Sequence, residues 1–389
     1  MYPDWPETPA DLIPLPLCDG PKLAAFDFKG PQQIEFLEYL GEGLHAHVVK
    51  VRIQGQEYAL KLFRFVYDHD WYGPGQLDKN EDRGKLTLFA QYSEPFSSEC
   101  RAFGRLLEAG HPDLATACYG YVLLDEAHER ALADRFALEF DGNIDLAGVW
   151  NMRGRYLGER SGKPPPIRGI LKALGTPGPI EDPPNLTVPS ARRILRDTIK
   201  FHQLGIICLD VRRDQLIDGK LCDFSTAITV PHFLTNPDLN PQLTDRQKAR
   251  MLRETFILTI GDYWDYEDVL VEALENPRQT SKLYKVPVFP GGIRGIFTGE
   301  PRLAPDPRYQ LRSTSAHPDS VYTLVDPRRY NGKGQITTTG TNLKTKSRPQ
   351  RQRIPLSPRP KRWYFDCSPE EATKLNATRQ VHTTLECYN

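Results

Sequence analysis

The chain has no apolar run approaching the ~18–20 residues that a membrane-crossing helix needs, so the sequence predicts no helical membrane span. It has no excess of either charge. Fifty Lys and Arg face 50 Asp and Glu, which excludes a global field drawing the whole protein to nucleic acid or membrane. Its seven cysteines (Cys18, Cys100, Cys118, Cys208, Cys222, Cys367 and Cys387) lack the close pairs of a zinc knuckle or a redox dithiol. Most sit in apolar runs, where a reduced, buried thiol is expected. The opening string MYPDWPETPADLIPLPLCDG lacks the basic start and apolar core of a signal peptide. These absences predict a soluble intracellular protein, nuclear or cytoplasmic.

What is present is a chain of 389 residues, long enough for one two-lobed domain or two modest ones. Residues 1–30 are a proline-rich lead-in, expected to be loosely ordered. From Ile34 to Phe63 the residues alternate as strands do, with Val49, Val51 and Ile53 on one face and a turn at Gln54-Gly55-Gln56. Residues 64–92 read as an insertion. A helix is predicted from Ser93-Glu94-Pro95, with Phe96, Cys100, Phe103 and Leu107 on a buried face and Gly110 as its stop. Strands are predicted at Tyr119–Leu124 and Ile167–Leu171. A helix is predicted from Pro189-Ser190 to about Leu204, and a further one at Asp245–Leu258.

The chemistry-bearing residues come in a fixed order. Gly41 and Gly43 occupy a turn, Val48 opens the next strand, and Lys61 lies in a second strand. Asp210 follows an apolar run, and Gln215 lies five positions on. Leu216-Ile217 and Leu221-Cys222 flank Asp218-Gly219, a tight-hairpin signal that closes on Asp223-Phe224-Ser225. Glycines let backbone amides approach phosphate oxygens, and a lysine held by a helix carboxylate, here Glu99, neutralises phosphate charge. Glu94 and Glu108 are less well placed. A carboxylate such as Asp223 suits magnesium, a hard cation, and Asp210 is placed to accept a proton from an acceptor hydroxyl.

This series resembles the glycine lid, strand lysine, catalytic-loop aspartate and metal-binding aspartate of protein kinases. The resemblance implies an α+β, bilobal protein-kinase-like fold. It divides the chain into a β-rich N-lobe over residues 31–171, a reduced helical C-lobe over 172–330 and a disordered basic tail over 331–389. It also implies ATP and Mg as cofactors. Catalytic roles then fall to Asp210, Lys61 and Glu99, nucleotide contacts to Gly41, Gly43, Val48, Ala59, Lys61, Lys172 and Gly175, and metal contacts to Asp223 and Gln215. The adenine is expected against backbone groups of Lys172–Gly175.

The pattern departs from protein kinases in several places. Cys208 and Leu209 stand where a His-Arg pair precedes the catalytic aspartate, Gln215 replaces an asparagine, Ala46 replaces the third lid glycine, and no Ala-Pro-Glu segment follows. Peptide phosphorylation is therefore disfavoured relative to nucleotide binding with weak or atypical phosphotransfer, and enzymatic activity stays open. The alternatives are a catalytically inactive pseudokinase scaffold and, more weakly, a small-molecule kinase. His45 and His47 in the lid are read as incidental rather than as metal ligands.

Between Gly332 and Trp363 nine basic residues occur with no acidic one: Lys333, Lys344, Lys346, Arg348, Arg351, Arg353, Arg359, Lys361 and Arg362. This segment reads as a solvated linker, a nuclear-localisation signal or a weak DNA contact. The strings FLEYLGEGLHAHVVKV, YALKLFRFVYDHDW, SSECRAFGRL, GYVLLDEAHERA, PPPIRGILKALG and LGIICLDV…QLIDGKLCDFSTAITVPHF resemble a fungal family named after an inner-kinetochore subunit, the Fta-two component of the Sim-four complex. The resemblance covers about residues 12–330. It implies kinetochore or chromatin protein partners and a centromere-associated place in the nucleus.

Overall fold

The computed structural model describes residues 1–68, 71, 83–140, 152–175, 186–239, 244–274, 283 and 286. The chain is mixed α+β and divides into two compact units: Met1–Gly178 with Leu204–Met251, and Pro179–Gln203 with Leu252–Asn389. Among the described residues no helix is long and apolar enough to cross a membrane.

The first unit is built on an antiparallel sheet of five strands. These are β1 (Glu35–Glu42), β2 (Ala46–Ile53), β3 (Gln56–Phe63), β4 (Cys118–Leu123) and β5 (Arg168–Ala173), in the order β1-β2-β3-β5-β4. The alternation in β2 does what the sequence predicts, since Val49, Val51 and Ile53 are buried while Lys50 and Arg52 are only partly so. Gln54 and Gly55, both at positive φ, make the two-residue turn between β2 and β3.

Helix α1 (Arg83–Ser93) occupies part of the stretch read as an insertion. Leu86, Phe89 and Ala90, spaced three and four apart, give it one buried face. Helix α2 (Pro95–Glu108) starts where the sequence predicts, with Pro95 in its first turn and the Glu94 carboxylate accepting the Ser97 amide. Leu107, expected on its buried face, is exposed and Leu106 is buried instead; burial of Phe96, Phe103 and Leu106 contributes about 1.5–3 kcal/mol each. Helices α3 (Glu126–Phe136) and α4 (Met152–Arg155) follow around β4 and β5.

The lead-in corrects its expectation of loose order. Leu15 and Leu23 are buried and bridge each other, and Ala25 pairs alongside Tyr121 at the β4 edge. An added Cβ on Gly104 of α2 would lie 2.5–2.7 Å from Lys22 backbone atoms, so the lead-in runs directly over that helix. Apolar residues among the prolines supply the burial that proline content alone conceals.

The second unit contains α5 (Val188–Gln203), whose buried stripe of Ile194, Leu195, Ile199 and His202 is the one the sequence predicts. His202 lies 2.7 Å from Asp262 and 3.0 Å from the Tyr263 hydroxyl. Helix α6 is longer than expected and runs unbroken over Asp245–Leu274. Residues 261–274 continue it because Tyr263, Tyr266, Leu270 and Ala273 recur at helical spacing and are buried. The first unit resumes with short strands β6 (Ile206–Ile207), β7 (Leu216–Ile217), β8 (Lys220–Leu221) and β9 (Ile228–Thr229). The tail expected over 331–389 lies outside the described residues.

Candidate functional site

Strand register assembles the site within the first unit. Val48 opposes Lys61, Lys61 opposes Ile170, and Ala59 opposes Lys172. Directly opposed residues share a face of the sheet, so Val48, Ala59, Lys61 and Lys172 line one side together. Helix α2 brings Glu99 to the same place, with Lys61 Nζ 2.8 Å from Glu99 Oε2.

Asp223 arrives from the far end of the chain. Strands β7 and β8 pair tightly around Asp218 and Gly219, both at positive φ, and the Cys222 amide closes back on the Gln215 carbonyl at 2.9 Å. Asp223 is thereby placed with Oδ1 2.6 Å from Lys61 Nζ and 2.8 Å from the Ser225 amide. The next residue, Phe224, is fully buried edge-on to Phe103 of α2, with ring centroids 5.2 Å apart.

Lys172 enters the site by its side chain rather than by its backbone. Its main chain is paired inside the sheet between β3 and β4. Its Nζ forms an ion pair with Glu99 Oε1 and donates to the Cys222 carbonyl at 2.6 Å. Leu174 and Gly175 are the first residues beyond that strand. An added Cβ on Gly175 would sit 2.2 Å from Ile217 and 2.8 Å from the Asp218 carboxylate. Gly175 therefore lies close against the β7–β8 hairpin.

The result is a set of two ammonium and two carboxylate groups, of which Lys61, Lys172 and Glu99 are buried and Asp223 is half-buried. Burial works against the charge of Lys61, but Asp223 and Glu99 outweigh it and hold the ammonium above the usual lysine range. Burial likewise favours neutral Asp223, yet Lys61 and Lys172 hold its carboxyl well below the usual carboxylate range.

Asp210 stands apart from these four. It follows Leu209, whose φ of 63° is unusual for a branched residue, and it is paired with Arg212 and with the Gln215 side-chain amide at 3.2 Å. Burial raises its pKa against the pull of Arg212, and the charge of Asp223 adds to the rise.

The lid glycines have open space around them. Gly41, at φ 146°, pairs with Val48, and the Gly43 amide donates to the Ala46 carbonyl at 2.9 Å. An added Cβ on either would meet nothing within 4 Å. Between lid and hairpin, His45 Nδ1 lies 3.0 Å from Ser225 Oγ. Burial, assisted by the charge of Lys61, lowers the His45 pKa from 6.5 to about 4. His47 is buried against the Tyr39 hydroxyl and the Glu139 carbonyl. The two histidines do not converge on one point, and among the described residues no group of three or more His, Cys, Asp or Glu side chains could hold a metal ion.

Lys61, Glu99, Asp223 and Lys172 are therefore brought together, Asp210 and Gln215 form a neighbouring pair, and Gly41 and Gly43 remain in the lid. Glu94 and Glu108 go elsewhere, to Arg168 at 2.9 Å and Arg105 at 3.5 Å. Sequence reasoning missed Arg212 and the roles of the Lys172 ammonium and of His45. A lone lysine inside the apolar run Ile170-Leu171-Lys172-Ala173 was the available signal, since such a residue must find a buried partner.

As arranged, the groups that would hold a magnesium ion face partners within the chain itself. Asp223 faces the Lys61 ammonium, Asp210 faces a guanidinium, and Gln215 turns toward Asp210 rather than toward Asp223. Residues 12–228 match the family model described as kinetochore Sim4 complex subunit FTA2. No curated protein matches the chain. With more than half of its length covered by that model, the chain belongs to the kinetochore Sim4 complex subunit FTA2 family.

Proposed function

We propose that this protein is a non-catalytic, kinase-like scaffold subunit of a kinetochore complex, with kinetochore proteins as its partners and a nuclear, chromosomal place of work. The carrying observation is the charge balance of the site. Lys61 and Lys172 neutralise Glu99 and Asp223, and Arg212 lies against both Asp210 and Asp214, so the site's buried carboxylates face cations of the chain itself. Family membership supports the kinetochore part of the reading. The five-stranded sheet, the buried lysine–glutamate pair and the aspartate at the end of a hairpin support descent from a kinase-like ancestor.

A second reading has one specific observation in its favour. Lys61, Glu99 and Asp223 meet within 2.8 Å, the juxtaposition that ATP-Mg binding and weak phosphotransfer would require. Thermal denaturation with saturating Mg-ATP separates the two. A ligand at about 100 times its dissociation constant adds about 2.7 kcal/mol of stability. The scaffold reading expects no shift, and Asp210→Asn is expected to leave cellular function intact. A shift that disappears in Lys61→Met, or loss of function in Asp210→Asn at normal protein level, overturns it.

A further inference from the structure

The site contains a second cation beside the lysine of its lysine–glutamate–aspartate trio. Lys61 already spans Glu99 and Asp223, at 2.8 and 2.6 Å, and this trio alone would carry one negative charge. Lys172 removes that charge. Its ammonium lies on the second oxygen of Glu99 and on the Cys222 carbonyl, immediately before Asp223. Lys172 is 6% exposed and Glu99 is fully buried, so the pair is poorly screened by salt. Its position follows from register. Lys172 opposes Ala59, two residues from Lys61 on the same face of the sheet, which puts the two ammonium groups on either side of one carboxylate.

We propose that Lys172 acts as a built-in counter-ion, a positioning residue that occupies the electrostatic place of a divalent cation and keeps the site closed to metal–nucleotide. It ties three elements together: β5, which carries it, α2 through Glu99, and the hairpin end through Cys222. The lysine, the glutamate and the metal-proximal aspartate are thereby held in register without any ligand. This inference rests on the non-catalytic reading above and names the residue responsible for it.

The test is a binding titration of full-length protein with Mn²⁺, followed by electron paramagnetic resonance of the free ion, alone and with ADP. Wild type, Lys172→Met, Lys172→Arg and the double variant Lys172→Met/Glu99→Gln are compared. Lys172→Met leaves one uncompensated carboxylate in a poorly screened site and is expected to bind Mn²⁺ or Mn-ADP at least about tenfold more tightly than wild type. Lys172→Arg keeps the charge and is expected to show no gain. The double variant restores neutrality and is expected to lose the gain.

A folded Lys172→Met protein that binds no better than wild type overturns the inference while leaving the scaffold reading in place. Wild-type protein that itself binds Mn-ADP tightly overturns both. If Lys172→Met fails to fold but the double variant folds, the ammonium is shown to balance Glu99, which supports the inference. If neither folds, Lys172 is a packing residue and the inference falls.

Discussion

At the residue scale, Lys61 and Lys172 share the carboxylate of Glu99, and Lys61 pairs with Asp223 as well. A buried ion pair is costly to desolvate and costlier to break, with loss of one partner amounting to about 3–5 kcal/mol. The charges at Lys61, Glu99, Lys172 and Asp223 are therefore interdependent. His45 adds a neutral contact between lid and hairpin, and its depressed pKa has a definite consequence. Between pH 6.5 and about 4 the unfolded chain protonates this imidazole while the folded chain does not. Stability is then fully present above pH 6.5 and falls as the pH drops through that window. At 1.36 kcal/mol per pKa unit, His45 accounts for about 3 kcal/mol of that loss. Burial also depresses the pKa of His47 and His232, so the wild-type slope has several sources. Urea denaturation at about pH 7 and about pH 4.5 is expected to show a smaller pH difference in His45→Asn than in wild type. An unchanged difference would mean that the imidazole is not buried against Ser225.

At the element scale, α2 is the piece on which the site depends, and the lead-in holds it. Arg101 of that helix is fully buried, donating to Cys18 Sγ at 2.9 Å, to the Asp19 carbonyl at 2.9 Å and to the Thr229 carbonyl at 3.0 Å. One guanidinium thus joins the lead-in, the helix bearing Glu99 and the segment that follows Asp223. Gly104, one turn on, lets Lys22 backbone lie against the helix. Gly104→Ala gains helix propensity of about 1 kcal/mol but drives a methyl group into main chain that cannot turn aside. A net loss of about 1–3 kcal/mol is expected by urea denaturation. Gly43→Ala, with open space around it, is the control and is expected to change stability by less than about 0.5 kcal/mol. Equal behaviour of the two variants would show that the lead-in does not bear on α2.

At the scale of the whole molecule, formal charge balances while its distribution does not. The nine basic residues between Gly332 and Trp363 are uninterrupted by acid, and they lie outside the described residues. Family membership places the chain with kinetochore subunits, and a basic segment of this composition is suited to nuclear import. Deleting residues 332–363 from a fluorescently tagged protein is expected to abolish nuclear accumulation. Nuclear signal equal to that of the full chain would return this segment to the status of a solvated linker.

Strands β2 and β3, helices α2 and α5 and the β7–β8 hairpin were determined by the sequence itself. Each rests on a local signal: alternation at Val49, Val51 and Ile53, a proline in the first turn at Pro95, apolar spacing at Ile194, Leu195 and Ile199, and the Asp218-Gly219 turn. Such signals act over a few residues and survive without knowledge of the rest of the chain. The sequence also paired Lys61 with Glu99, and the resemblance to protein kinases put Asp223 in the same site as a metal ligand. Only the tertiary structure decided that Lys172 joins them, that Arg212 covers Asp210, that Gly175 abuts Ile217, and that the proline-rich lead-in is packed over α2. Those outcomes depend on strand register and on segments far apart in the chain coming together. There each charge must find an opposite charge, and the order of residues does not say which one.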